Sequence, residues 1–272
     1  MTAPLLLYKY EAFSAQSLEN LKNQVIYFGS PLRFNDPYDC ALSPSIAEPS
    51  DEDVEKIRAH YLADPEVPEG VRQQMQQSSV AALRLTFLRA GQSALDDQIK
   101  KFLSLRGVSC FAERPNNLLM WSHYAGHHKG FCLEFRTDTD PFQKIHPVKY
   151  TNQMPEFDLV PMLCDQDFDQ IMELFCTKST EWQYEREWRA LHREAGTAYT
   201  YPVEALTGVY FGPEASFTTF AIVALILAGQ NEHVKLWRGV RSKVDFSVEF
   251  EVAAYTSHLE AKRRGLLQPG EA

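Results

Sequence analysis

The stretch Glu181 to Leu191, E-W-Q-Y-E-R-E-W-R-A-L, packs two tryptophans, a tyrosine, three glutamates and two arginines into eleven positions. Trp and Tyr favour strands, and no glycine or proline interrupts the run from Cys176 to Gly196. If the run is extended, Trp182, Tyr184, Arg186, Trp188 and Ala190 share one face. Glu185 and Glu187 then stand on the other, about 7 Å apart by the strand rise. Paired carboxylates beside aromatic rings suit charge stabilisation or general-base chemistry. The same residues also fit a surface strand whose Glu and Arg side chains merely pair across it.

Other stretches carry polar and aromatic residues together. Leu32 to Asp39 reads L-R-F-N-D-P-Y-D, where Asn35 and Asp36 are either a structural turn or a ligand-contacting loop. Leu118 to Phe135 contains M-W-S-H-Y. On a short helix Met120 shares a face with Tyr124, and Trp121 with Ala125, with His123 between them. Those rings fit a core as well as a ligand box, and His123 fits a satisfied core histidine. His127 and His128 read as solvated, and a metal held by His123, His127 and a distant carboxylate is the remote alternative.

The formal charge of -9 gives no long-range attraction for nucleic acid, although a local basic groove remains compatible with it. A hydrophobic fraction of 44% and a charged fraction of 23% are those of an ordinary soluble globular protein. No signal peptide is evident, and the longest apolar run, Phe220 to Gly229, is too short to span a bilayer. The five cysteines, Cys40, Cys110, Cys132, Cys164 and Cys176, form no C-x-x-C pair, so neither a structural zinc site nor disulfides are expected. The expected setting is cytoplasmic.

The elements that must position these residues alternate in kind. Strands are predicted at Leu5 to Tyr10, Val25 to Phe28, Gly107 to Phe111, Phe131 to Phe135, Val148 to Thr151 and Glu187 to His192. Further strands are predicted at Val209 to Phe211, Ile222 to Leu227 and Asp245 to Ala254. Helices are predicted at Ser14 to Asn23, Glu48 to Ala63, Val71 to Leu105, Leu118 to Ala125 and Asp167 to Phe175. The expected architecture is α+β: one domain over residues 1–258, a helical insertion at about 48–105, and a frayed tail at 259–272.

The blocks L-Y-K-Y (Leu7 to Tyr10), I-Y-F-G-S-P-L-R-F-N-D-P-Y-D (Ile26 to Asp39) and V-S-C-F (Val108 to Phe111) come in a fixed order. They continue with L-M-W-S-H-Y-A-G-H-H-K-G-F-C-L-E-F (Leu119 to Phe135), the strand at Val148, and W-Q-Y-E-R-E-W-R (Trp182 to Arg189). In this the chain resembles a bacterial family known as domain of unknown function 2971. It is also similar to toxin-type ADP-ribosyltransferases in the order of Lys9, then Ser109-Cys110-Phe111, then Glu185-Arg186-Glu187. Lys9 stands where those enzymes have His or Arg, and Cys110 and Phe111 depart from their Ser-x-Ser.

That similarity implies split, bent, mainly antiparallel sheets gripping NAD in a cleft, and modification of a protein or nucleic-acid acceptor in a toxin or phage-defence setting. By analogy Glu187 steadies the ribosyl cation and Glu185 orients or deprotonates the acceptor. The NAD contacts would come from Tyr8, Lys9, Tyr10, Asn35, Asp36, Ser109, Trp121, His123 and Tyr124, the rings stacking on nicotinamide or adenine. Two other classes fit the same residues. One is a nuclease or phosphodiesterase using Glu185, Glu187, Asp36 and His123; the other is a non-catalytic module whose aromatic cleft binds a small ligand.

Two structural expectations follow. Tyr8 to Tyr10, Phe34 to Pro37, Trp121 to Tyr124 and Glu185 to Arg189 should converge. At least one of Glu185 and Glu187 should pair with Lys9, Arg33 or Arg189, because a desolvated carboxylate needs a compensating partner. Alternatively, Glu187 is a buried strand glutamate that holds a cation in place.

Overall fold

The computed structural model describes residues 3–40, 44–165 and 169–265. In chain order the elements are β1 (Leu6–Glu11), α1 (Ala15–Lys22), β2 (Val25–Phe28), β3 (Ser45–Ile46), α2 (Asp51–Ala63), α3 (Glu69–Gln77) and α4 (Val80–Leu105). There follow β4 (Gly107–Ala112), α5 (Leu118–Tyr124), β5 (Phe131–Arg136), β6 (Ile145–Pro147), β7 (Lys149–Thr151), β8 (Glu156–Phe157), α6 (Asp169–Phe175) and β9 (Thr177–Ser179). The chain continues with β10 (Glu187–His192), β11 (Thr197–Thr200), β12 (Leu206–Phe211), α7 (Phe217–Ala228), β13 (Lys235–Arg241), β14 (Val248–Ala253) and α8 (His258–Arg263).

These elements fall into two compact units, one of Met1–Gly29, Gly107–Val148 and Glu181–Ala272, the other of Ser30–Arg106 and Lys149–Thr180. In the first unit one eight-stranded sheet runs β14-β13-β12-β5-β1-β4-β10-β6. Only β12 and β13 are parallel; every other neighbouring pair is antiparallel. The fold is therefore α+β with a large, mainly antiparallel sheet, as the strand pattern predicts.

Alternation along the strands divides this sheet into two chemically different faces. One carries Leu7, Phe111, Leu133, Phe135, Trp188 and Ala190, packed against Leu21 of α1 and Val223 and Leu227 of α7. The other carries Tyr10, Ala112, Cys132 and Tyr210, with Met120, Trp121 and Ala125 of α5 and its C-cap laid over them. Tyr8, Tyr184, Trp237 and Phe250 border that second face and remain partly accessible.

The second unit has its own core, formed by Val54 and Ile57 of α2, Leu83 and Phe87 of α4, and Leu159 and Met162. Its strands form two short parallel pairs, β3 with β8 and β7 with β9. Ser50 opens α2 with a capping box, and Ser79 caps α4. The helices predicted over about 48–105 lie in this unit, with the single helix predicted from Val71 broken at Ser78 into α3 and α4.

Three further predictions need correction. Ile222 to Leu227 is not a strand but lies within helix α7; Ser216 caps that helix by accepting from the Thr219 N–H, and its apolar run is buried along one side. Thr180–Glu185 is a 3₁₀ turn, so only the residues from Glu187 onward are extended. The tail is not frayed at His258–Arg263, which form α8 under a Ser257 cap. Strands β3, β6, β8, β9, β11 and β13 were not predicted. Positions 167–168 of the helix predicted from Asp167, and the last seven residues of the tail, lie outside the described residues.

The end of α5 and the start of β5 approach so closely that only glycine fits at 130. A Cβ there would stand 2.2 Å from the Glu11 carbonyl oxygen and 2.9 Å from that of Ala125. Backbone atoms cannot swing aside as a side chain can, so Gly130→Ala should cost about 1–3 kcal/mol. Gly229, just past α7, has no neighbour within 4 Å of such a Cβ. Urea titrations should show a lowered midpoint for Gly130→Ala and a change within about 0.5 kcal/mol for Gly229→Ala. Equal effects would contradict this packing.

Candidate functional site

The carboxylates of the E-x-E segment are brought to the second face by a backbone device. Thr180–Glu185 winds as a 3₁₀ turn, Arg186 takes a left-handed φ of +45°, and β10 begins at Glu187. A non-glycine residue in that region costs of the order of 1–3 kcal/mol and must be held by its surroundings. Glu113 supplies part of the hold. Its Oε1 accepts from the Trp188 indole N–H at 3.0 Å, and its Oε2 lies 3.7 Å from the Arg186 guanidinium.

Asn117 supplies another part. Its Oδ1 accepts from the N–H groups of Leu119 and Met120, capping α5, while its Nδ2 donates to the Tyr184 carbonyl at 3.0 Å. One side chain thus starts α5 and ties it to the 3₁₀ turn.

Both glutamates are buried, Glu185 at 3% and Glu187 at 5% exposure. Glu185 Oε1 accepts from the Tyr124 hydroxyl at 2.6 Å. Glu187 and Arg189, two residues apart and on the same face, form a two-pronged ion pair. Nε donates to Oε1 at 2.8 Å and one terminal nitrogen to Oε2 at 2.9 Å, with Arg189 fully buried. Arg189 is one of the three cations expected to pair with these glutamates, and two parallel bonds make the contact among the strongest available between side chains.

The register explains the room for this pair. Glu187 stands opposite Ala112 and Arg189 opposite Cys110, both small side chains. Burial pushes the Cys110 thiol well above its ordinary pKa, and the Glu187 charge adds to this. Cys110 therefore stays a neutral thiol rather than a thiolate nucleophile.

Three of the four blocks expected to converge do so in the first unit. Tyr10 meets Trp121 edge to face at 5.1 Å, and His123 Nδ1 lies 3.0 Å from the Tyr184 hydroxyl. The rings of Trp182 and Tyr184 lie 6.3 and 6.2 Å from that of His123. The fourth block, Phe34 to Pro37, belongs to the second unit. There Asp36 Oδ1 accepts from the Tyr38 N–H at 2.9 Å, closing its own turn, and Asn35 is exposed.

Several of the predicted ligand residues are placed in ways that limit them. Trp121 is fully buried and donates its indole N–H to the Pro115 carbonyl, so neither ring face is open to a ligand. Lys9 points to the opposite face from Tyr8 and Tyr10, over the Phe111 ring and 3.8 Å from Glu11. Ser109 shares the side of Phe111 by alternation and is buried. His123 is exposed, and Tyr124 partly so.

The sequence reading missed Glu113 and Asn117, whose only signal was their place in the polar turn before α5. It also missed Glu134, which sits opposite Tyr8 in β5. Among the described residues no group of three or more His, Cys, Asp or Glu is placed to hold a metal. The second unit has a cleft of about 640 Å³ bordered by Lys149, Glu156 and Glu173, and its one ring, Phe157, is buried. Stackable rings and carboxylates meet on the first unit's sheet.

Removing one partner from a buried pair strands the other charge. Glu187→Gln should lower stability by about 3–5 kcal/mol. Glu187→Gln combined with Arg189→Met should lose less than the single change, because the stranded guanidinium is gone. Denaturant titration of the three proteins measures this; a double variant at least as unstable as the single one would show that the pair is not the unit of stability.

Residues 120–190 match the model of a family described as a protein of unknown function (DUF2971). That segment runs from α5 through β5 and the 3₁₀ turn to β10, and so contains both glutamates and Arg189. No curated protein and no solved structure matches the chain. The likeness to this family covers both glutamates and Arg189 but not Tyr8, Tyr10, Glu113 or Asn117, and it names no activity.

Proposed function

We propose that the first unit is an ADP-ribosyltransferase-like module that cleaves NAD and passes the ADP-ribosyl group to a macromolecular acceptor. The observation that carries this reading is a row across neighbouring strands. Tyr8 of β1 stands opposite Ala112 of β4, and Ala112 opposite Glu187 of β10. Two strand spacings separate Tyr8 from Glu187, roughly 10 Å. Of the residues in the resemblance, Cys110 and Glu187 share this face with Tyr8, whereas Lys9, Ser109 and Phe111 stand on the opposite one.

The residues fit the demands of the reaction. The bond between ribose C1′ and the nicotinamide nitrogen breaks, nicotinamide leaves as a neutral ring with the bonding pair, and positive charge builds on the ribosyl carbon. Glu187 supplies the negative charge that steadies it, and Arg189 offsets the cost of keeping that charge buried. Glu185 takes the proton that the acceptor loses as its new bond to C1′ forms. The partly exposed rings of Tyr124, Trp182 and Tyr184 and the exposed His123 provide stacking surface for the base.

A second reading is supported by one specific feature. Arg189 already engages both oxygens of Glu187. A carboxylate so held suits a non-catalytic module that binds its ligand through the rings.

Thermal melts with NAD and an assay of free nicotinamide separate the two. The enzyme reading predicts a raised Tm and steady nicotinamide release. Release should fall by roughly two to three orders of magnitude in Glu187→Gln, normalised to folded protein, with NAD affinity little changed. In Glu185→Gln, labelling of acceptor should fall more than nicotinamide release. A raised Tm without release supports the binding module, and no response to NAD ends the enzyme reading.

A further inference from the structure

Glu134 is a further carboxylate on the second face for which the fold makes room. Its Oε2 accepts from the Tyr8 hydroxyl at 3.1 Å and the Tyr210 hydroxyl at 2.7 Å. Its Oε1 accepts from the Thr207 hydroxyl at 2.7 Å. Thr207 reaches it only through an irregularity in β12, where the register with β5 shifts between Leu206 and Gly208. Such a bulge turns a side chain toward the face it would otherwise miss. Gly208 lies directly opposite Glu134, and a Cβ there would stand 3.1 Å from Glu134 Oε1 and 3.4 Å from the Tyr210 ring.

All of these donors are neutral hydroxyls. Among the described residues no lysine, arginine or histidine nitrogen lies within 4.0 Å of Glu134. Its treatment is the opposite of Glu187's, whose charge is matched by a guanidinium. A carboxylate accepts about four hydrogen bonds, and three are used here, so it is oriented but not neutralised. Burial and the Glu134 charge both raise the pKa of Tyr8, and the same two influences raise that of Tyr210, so both hydroxyls remain protonated donors.

The rings around it form a corner. Tyr8 stands at 76° to Tyr210, centroids 5.8 Å apart, and Trp237 lies parallel to Tyr210 at 5.7 Å. Glu134, Tyr8 and Trp237 are all partly accessible. A carboxylate without a cation beside it, bordered by the rings of Tyr8 and Tyr210 and by Trp237 stacked on the latter, favours a positively charged guest.

We propose that Glu134, Tyr8, Tyr210 and Trp237 form a binding site for a small organic cation of the alkylammonium or quaternary ammonium class. The site shares Tyr8 with the NAD reading but does not rest on it, and its test contains no NAD. The probes are choline and 3,3-dimethylbutan-1-ol, which differ in carrying a cationic nitrogen or a neutral carbon at the same place. Titration calorimetry on the whole chain should show choline binding at least tenfold tighter than the alcohol. Glu134→Gln should weaken choline at least tenfold and leave the alcohol unchanged. Trp237→Leu, which leaves the hydroxyls around Glu134 intact, should weaken choline severalfold and serves if Glu134→Gln fails to fold. Equal binding of the two probes, no choline binding at millimolar concentration, or undiminished binding by both variants would overturn the proposal.

Discussion

A buried arginine must have an anion beside it, and in this chain that requirement shapes the middle of the first unit. Arg189 is fully enclosed in β10 and finds both oxygens of Glu187 two residues earlier on the same strand. The cost of desolvating the two charges is several kcal/mol per ion, recovered only with near-ideal geometry. The small partners Ala112 and Cys110 on β4 leave the necessary space. The left-handed turn at Arg186 ends the 3₁₀ segment so that β10 starts with Glu187 already in place. Glu113 and Asn117 then fix that turn from the outside.

The same sheet face handles its carboxylates in three different ways. Glu187 is matched by a guanidinium, Glu185 is held by the Tyr124 hydroxyl, and Glu134 is held by three hydroxyls. The guanidinium lies against both oxygens of Glu187, and the hydroxyls orient the carboxylates of Glu185 and Glu134. A face that keeps negative charge among aromatic rings is suited to ligands that carry or develop positive charge, such as a ribosyl cation or an organic ammonium group. The opposite face, packed by α1 and α7, holds the main apolar core, with the Lys9–Glu11 pair beside it.

The strands β1, β4, β5 and β14 were legible because their apolar residues run or alternate between turn signals. The helix predicted from Ser14 was legible for a local reason too, since Ser14 caps it. Ile222 to Leu227 was misread because a short apolar run fits a buried strand or a buried helix face equally well; the Ser216 to Thr219 spacing was the cap signal that distinguished them. β13 escaped because K-L-W-R-G-V-R alternates poorly and contains a glycine. In the site, Glu185, Glu187 and Arg189 were visible as an unusual cluster. Glu134 was not, because a single acid inside F-C-L-E-F looks incidental until Gly208, Thr207 and Tyr210 are brought across from β12. Lys9 was placed beside Tyr8 and Tyr10 in sequence, yet strand alternation sends it to the other side of the sheet.

The central claim is that the ring-and-carboxylate face of the first unit takes up NAD. Saturation-transfer NMR with carba-NAD, in which a methylene replaces the ribose ring oxygen and cleavage is blocked, tests binding apart from turnover. Protein saturation should reach the nicotinamide and adenine protons, and the transfer should fall sharply in Tyr124→Ala and Tyr184→Ala variants that remain folded. Absence of transfer to either ring, or transfer unchanged in both variants, would contradict the account.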